Sequence, residues 1–409
     1  MNRQTTAAPT AGRKIPAYAW VVLFSIYMAT LAAPLNQFKV PPLMPILRDE
    51  LQLSYGGASW LMSIFSIMGI VLAIPAGFIL QRFGIKATGL IGIGATMVGA
   101  GLGALAQTSG LLFSGRFIEG AGMGLIMVVA PAAISLWFDA EKRALPMGIW
   151  ASSVGIGYFS SLNLAPVLVE SHGWHAVWWV GAAVAAVAFI LFAVLFRLPK
   201  PEEMPEPPVR PGVATGKPVG LFRAMANRNL WLLSISFGCF NLVVLAINSF
   251  YTDFLNTVRQ YPLVKASFIS SLVMLMAIFF GPLSGHLSDR LGSRKAWIVA
   301  PFILLCGLYL VPFTATGWMI PAFTIALGIL AGPIAPVTLA TVPETMPSLQ
   351  LAGIGMGVAT MCQNLGMFAG PMLFGKLLEL TGQNWAAAGY MMIPICAIGA
   401  ITAWLAKIR

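Results

Sequence analysis

Four charged residues, Lys39, Arg116, Glu119 and Asp253, lie inside or at the edge of long apolar stretches, and any chemistry this chain performs must start from them. A charge at bilayer depth costs roughly 2.5 to 3.5 kcal/mol on insertion scales, so each needs either a partner or a task. Arg116 and Glu119 stand three residues apart and share a helix face. Two readings are open for them: an internal ion pair that positions its helix, or a substrate or proton site with Glu119 as the titrating group. Lys39 sits in Ala33-Pro34-Leu35-Asn36-Gln37-Phe38-Lys39-Val40-Pro41-Pro42. A lysine there either holds an anion as a point charge or snorkels to the headgroups from a helix end. Asp253, near Arg259 at the end of another apolar run, belongs to a loop or is a second group for proton coupling. Asn36, Gln37, Asn248, Tyr251, Gln363 and Asn364 could add hydrogen bonds around one cavity, although each alone is also an ordinary helix-packing polar group.

Other chemistries lack their parts. His172, His175 and His286 are scattered in or beside loops, and Cys239, Cys306, Cys362 and Cys396 lie singly in apolar runs as reduced packing residues, so no metal-ligand spacing arises. No Gly-x-x-x-x-Gly-Lys-(Ser/Thr) stretch is present, and no hydrophilic region is large enough to fold an ATPase domain. The expectation is no catalytic residue, no metal and no cofactor; a membrane enzyme would need converging His, Asp, Cys or Ser groups.

The elements that carry these residues are membrane helices. Of 409 residues 58% are hydrophobic and 9% charged, whereas charged residues make up roughly a quarter of a soluble protein. The net charge of +11 is unevenly placed: with loops alternating sides, 18 of the 24 Lys and Arg fall on the N-terminal side, five on the other, and Arg116 within a helix. That asymmetry puts both termini in the cytoplasm. It is also unlike the soluble basic patch of a nucleic-acid binder, so no nucleic-acid partner is expected. Met1 to Pro16 lacks the short apolar stretch of a cleavable signal. Short loops and the absence of an Asn-x-Ser/Thr acceptor fit a bacterial inner membrane.

Twelve apolar runs reach the length of about 20 residues that a spanning helix needs. The first starts near Ala17 and, with its prolines and amides, reads as a broken or bent helix whose freed backbone is satisfied by protein or by a water-filled cavity. The others are read at about 57–80, 87–106, 111–137, 146–169, up to 196, 230–255, 266–285, 296–313, 319–342, 353–377 and 386–406. The third run is glycine-rich, which suits close helix packing. Gly366-Met367-Phe368-Ala369-Gly370-Pro371 would bend or tightly pack the eleventh. Residues 1–16 read as an N-terminal tail, 17–196 as one six-helix bundle, 197–229, rich in Pro and Glu, as an extended linker, and 230–409 as a second bundle.

A repeat ties the halves together. Gly77, Gln81, Arg82, Gly84 and Lys86 recur, half a chain later, as Gly285, Asp289, Arg290, Gly292 and Arg294-Lys295, each time in a short hairpin between apolar runs. The first glycine would let another helix approach, the second would allow the turn, Asp289 would cap a neighbouring helix, and the basic residues would anchor to headgroups. Gly285, Leu287, Ser288, Asp289, Arg290, Gly292, Arg294 and Lys295 resemble the signature of the major facilitator superfamily, and Arg116 with Gly120 resembles its fourth-helix motif. The N-terminal copy departs from that pattern by carrying Gln81 where the family has an acid that makes a charge-relay contact.

The resemblance implies an all-α membrane protein of twelve transmembrane helices in two pseudo-symmetric six-helix bundles, enclosing a midplane site reached by alternating access. Lys39 and Asn248 lie 38 and 37 residues before their hairpin glycines, and in this superfamily helices 1 and 7 line the cavity. The stretch from Asn36 to Pro45, with Arg116-Phe117-Ile118-Glu119-Gly120, is similar to the cyanate and nitroimidazole permease branch and its organic-anion relatives. The paired Gly-Asn signatures of nitrate porters are missing. The expectation is a monomeric secondary transporter of a small anion in the lipid bilayer, driven by protons or by exchange. The alternatives are a proton-coupled exporter of hydrophobic or cationic compounds, which the eroded Ser161-Leu162-Asn163-Leu164-Ala165-Pro166 element disfavours, and, from another class, a membrane enzyme or sensor.

Overall fold

The computed structural model describes residues 15–73, 75–139, 142–203, 227–291, 293–346 and 352–408. Its first half comprises α1 (Ala17–Gln37), α2 (Val40–Glu50), α3 (Tyr55–Val71), α4 (Pro75–Ala104), α5 (Ser109–Trp137), α6 (Ala144–His172) and α7 (Trp174–Leu195). The second comprises α8 (Arg228–Thr257), α9 (Leu263–Leu291), α10 (Arg294–Leu308), α11 (Met319–Thr341), α12 (Ala352–Leu380), α13 (Trp385–Tyr390) and α14 (Ile393–Leu405). The described helices make the twelve crossings of the fold, α1 with α2 and α13 with α14 each making one. Gly84, at φ +77°, divides α4 into the end of the second crossing and the whole of the third. Only glycine takes that conformation without strain, which is why the hairpin needs its second glycine. Its counterpart Gly292, the side chain of Asp289 and residues 204–226 of the linker lie outside the described residues.

Small residues decide how closely the helices approach. A Cβ on Gly99 of α4 would stand 2.5 Å from the Gly115 carbonyl oxygen of α5, and one on Gly115 would stand 2.6 Å from the Gly99 oxygen. The two backbones are therefore in contact, as a glycine-rich third crossing leads one to expect. In the second half Gly366 and Gly370 of α12 lie against the backbone of Gly238 and Leu242 in α8, so this element packs tightly. The start of the linker is pinned to the first half. Arg197 donates to both Glu203 carboxylate oxygens (2.6 and 2.8 Å) while lying over the rings of Tyr18 and Trp137. The Arg197 hydrogen bonds hold the Glu203 carboxyl at about 2, well below the usual carboxylate range.

The two halves meet along α3 against α12 and α6 against α9, with α2 reaching across to α8. Call the side of the membrane where α1 begins the terminal face, and the other the far face. On the far-face portion of these helices a Cβ on Gly375 would meet Tyr55 and Ser59 of the other half, and one on Gly56 would meet Glu379. At the terminal ends of the same four crossings, Gly77, Gly148, Gly285 and Gly357 have nothing within 4 Å. No helix approaches Gly77 or Gly285 in this conformation. The halves are joined at the far face and diverge toward the terminal face, so the hairpin glycines face open space in this conformation.

Gly99→Ala should destabilise the fold by about 1 to 3 kcal/mol through overpacking, whereas Gly101→Ala, which meets nothing within 4 Å, should be neutral. Paired thermal unfolding of the two variants in detergent checks the contrast.

Candidate functional site

The site begins with a hydrogen-bonding deficit that prolines create. In a continuous helix the Gln37 carbonyl would accept from the N–H four residues on, but that residue is Pro41, which has none. The helix breaks at Phe38 and Lys39, between α1 and α2, as the sequence predicts. The freed carbonyls do not open onto water. Arg116, projecting from α5, donates to Gln37 O (3.0 Å), Asn36 O (2.7 Å) and, on α3, Leu61 O (3.0 Å). Its guanidinium also lies over Phe65.

Glu119, one turn along α5, joins this arginine to Lys39. One carboxylate oxygen accepts from Arg116 at 2.5 Å and the other from the Lys39 ammonium at 2.7 Å. Lys39 donates further to Asn36 Oδ1 (2.7 Å) and sits 4.5 Å from the Trp178 ring centroid. The Asn36 amide in turn donates to Ala32 O and Gly181 O, which orients its oxygen toward the lysine. Lys39, Arg116 and Glu119 are each 0% exposed. Two cations against one carboxylate leave a surplus positive charge sealed among α1, α3, α5 and α7 of the first half.

Of the two readings open for Arg116 and Glu119, the geometry matches the internal ion pair. Lys39 neither snorkels nor presents a bare ammonium to a cavity, because Glu119 holds it. Sequence spacing could not pair Lys39 with Glu119, eighty positions apart on different helices. The readable signal was the scarcity of buried charges, which obliges opposite signs to find each other.

The remaining predicted residues fall into separate tiers. Asn248 and Tyr251 are buried on α8; the Asn248 side chain makes no hydrogen bond among the described residues, and the Tyr251 hydroxyl is unpaired, its ring packed with Phe254, Phe313 and Phe323. Gln363 and Asn364 are half-buried on α12. Gly366 abuts Gly238, ten positions before Asn248, so at 1.5 Å per residue these amides lie roughly 15 Å nearer the terminal face than Asn248. The structure therefore does not gather all six polar residues into one shell. Gln37 is buried, with its carbonyl taken by Arg116. Gln81, Arg82 and Arg290 are exposed. Arg259 donates to the Phe313 and Ala315 carbonyls, a loop role. Among the described residues no group of three or more His, Cys, Asp or Glu is placed to hold a metal.

Asp253 belongs to a second cluster that sequence reasoning missed in part. It is fully buried at the far face, and one oxygen stands 3.5 Å from Arg48 of the other half while its Oδ1 is unpartnered. Arg48 lies over the Tyr55 ring at 3.4 Å, and Tyr55 packs edge-on against Trp385. Close by, Gly56 N–H donates to Glu379 of the opposite half at 2.8 Å. Arg48 and Glu379 were invisible as site residues because near a helix end a charge is ordinary.

The family model of the Major Facilitator Superfamily matches residues 26–371 and 265–409. The chain belongs to the major facilitator superfamily. It is a multi-pass membrane transporter and not an enzyme. It is 25% identical over 356 residues to the "Probable nitrate transporter NarT" of Staphylococcus epidermidis, covering 87% of this chain and 88% of that protein. It is 21% identical to the "Probable galactarate/D-glucarate transporter GudP" of Bacillus subtilis, covering 99% and 95%. Among solved structures, a bacterial homologue of the human lysosomal transporter Spinster, inward-facing and unoccupied, superposes with a TM-score of 0.79 at 17% identity, covering 97% of this chain and 98% of that one. The nucleoside transporter NupG gives 0.75 at 15% identity, covering 95% and 100%. These two likenesses carry the fold alone.

The buried cluster makes an asymmetric prediction. Glu119→Gln strands two cations and should cost about 3 to 5 kcal/mol, the range for breaking a buried pair. Lys39→Met leaves the Arg116–Glu119 pair neutral and the carbonyls capped, so its loss should be clearly smaller; thermal unfolding of both variants gives the order. At the far face, Asp253→Asn should speed labelling of a cysteine placed at Ser59 by a membrane-impermeant maleimide, in a background with the native cysteines changed to serine. An unchanged rate would remove the Arg48 pair from the closure.

Proposed function

We propose that this transporter carries a small anion, organic or inorganic, by alternating access between the two halves. The observation that carries the reading is the surplus positive charge of the Lys39–Glu119–Arg116 cluster, buried at the break in the first crossing. A unit charge acting over about 8 Å at an effective dielectric of 20 is worth ~2 kcal/mol, about thirty-fold in the local preference for an anion. The names of NarT and GudP, relatives that span most of the chain, point the same way.

In this proposal the terminal face is cytoplasmic, following the 18 Lys and Arg on that side, and the protein works as a monomer in the inner membrane. Residues 17–196 and 230–409 are the rocking bodies, with 197–229 as the connection. Substrate hydrogen bonds come from Asn248 on α8, and from Gln363 and Asn364 on its way to the terminal face. Asp253 is the proton-linked group rather than Glu119, since both Glu119 oxygens are already held by cations while Asp253 keeps one free and faces the opposite half. The same fact weighs against export of cations, which requires an uncompensated acid at the site.

The test is ligand-induced thermal stabilisation of the purified protein with glucarate, galactarate, nitrate and short carboxylates against a panel of organic cations. A ligand at one hundred times its Kd should add about 2.7 kcal/mol of stability. One anion class should stabilise the wild type and fail on Lys39→Met, and its uptake into liposomes should lose dependence on a proton gradient in Asp253→Asn. Stabilisation by cations alone, or an anion response indifferent to Lys39, would overturn the anion reading.

A further inference from the structure

A groove of about 440 Å³ lies in the second half, walled by α9 (Phe280, Leu283, Leu287), α10 (Trp297, Pro301, Leu304) and α11. Its volume is within the range of small-molecule pockets, and its walls are almost wholly apolar. It is separate from both charged clusters, which involve none of its residues. Prolines explain why it exists: Pro282, Pro301 and Pro333 interrupt the hydrogen-bond ladders of the three helices, and Ala296 and Ala300 supply little bulk to fill the space. Leu283 and Leu304 are about half exposed, so the groove opens toward the hydrocarbon rather than into the bundle.

Its length and its charged end identify the occupant. From Phe280 to Leu287, and from Ala296 to Leu304, the walls run about 10 to 12 Å along the helix axes, most of one leaflet of a hydrocarbon core about 30 Å thick. Leu283, Leu287 and Arg290 follow at spacings of four and three, so Arg290 continues the groove's own face of α9 into the hairpin at the terminal face. Arg290 is exposed and without an ion-pair partner among the described residues. Across the hairpin, Arg294 pairs with Glu344 and the Lys295 ammonium donates to Ala406 O at 3.2 Å, over the Trp404 ring, so Arg290 is the cation that stands on the groove's face. Counting Asp289 and Glu344 against Arg290, Arg294 and Lys295, the hairpin keeps a surplus positive charge.

We infer that this groove is a binding site for one anionic phospholipid, an acyl chain lying between α9, α10 and α11 and the phosphate at Arg290, in the positive field of the hairpin. The site requires only that the chain spans a bilayer, and it is independent of the transported substrate. Bound there, the lipid bridges three helices around the hairpin that joins the eighth and ninth crossings.

The experiment uses the full chain, delipidated in detergent, with dioleoyl phosphatidylglycerol or dioleoyl phosphatidylcholine added back and bound lipid counted by native mass spectrometry. Wild type should retain one phosphatidylglycerol at least five-fold more readily than phosphatidylcholine. Ala300→Phe, which fills the groove, and Arg290→Gln, an exposed change that spares the fold, should each remove that preference, and Arg82→Gln in the other hairpin should not. Equal retention of the two lipids would overturn the site. So would an unaltered preference in both Ala300→Phe and Arg290→Gln, or an equal loss in Arg82→Gln, which would reduce the effect to diffuse surface charge.

Discussion

The constraint on which the rest of this structure depends lies where the first crossing breaks: Pro41 has no N–H to give the Gln37 carbonyl. In a bilayer an unsatisfied carbonyl has no water to turn to, and each costs several kcal/mol. Arg116 meets that need with the fork of a guanidinium, but an arginine so placed brings a charge that must itself be answered. Glu119 answers it, and Lys39 then uses the second carboxylate oxygen. A backbone requirement in one helix has thereby drawn in three charged side chains and, through Leu61 and Trp178, two further helices. The first half is organised around a polar centre whose origin is proline chemistry.

The contact between halves follows a different rule, set by residues with little or no side chain. Gly56 and Gly375 bring α3 and α12 together at the far face, where Tyr55, Phe250, Phe374 and Trp385 form an aromatic plug. Gly77, Gly148, Gly285 and Gly357 sit at the other ends of the same crossings and touch nothing. Glycines engaged at the far side on α3 and α12, and vacant at the terminal ends of all four crossings, suit the proposed rocking of the two bodies, in which each end must be able both to close and to part.

Much of this was legible in the sequence, for reasons that can be named. The twelve crossings follow from apolar run length, the break at Lys39 from its prolines, and the turn at Gly84 from a glycine between apolar runs. The face shared by Arg116 and Glu119 follows from helical spacing. What spacing cannot supply is which of two buried charges on different helices meet, so the contact of the Lys39 ammonium with Glu119 was not readable. Asn248, placed beside Lys39 by the repeat, has no matching charge on its own half, because the repeat conserves height and not side-chain chemistry. Gln363 and Asn364 were grouped with Asn248 by polarity alone, and a separation of roughly 15 Å along the axis was beyond any local pattern.

The two charged clusters differ in one respect that assigns them different work. Lys39, Glu119, Arg116 and every group they touch belong to the first half, so the proposed rocking would carry that cluster as a rigid unit and leave its hydrogen bonds intact. Arg48 and Asp253, and likewise Gly56 and Glu379, join opposite halves, and opening the far face must separate them. A permanent charge suits the selection of what is carried, since its field is present in every state. In the proposed cycle a pair between halves would form and break once per turnover, which suits the control of when the path opens, and its weak geometry at 3.5 Å, with one Asp253 oxygen unpartnered, would keep the cost of parting low.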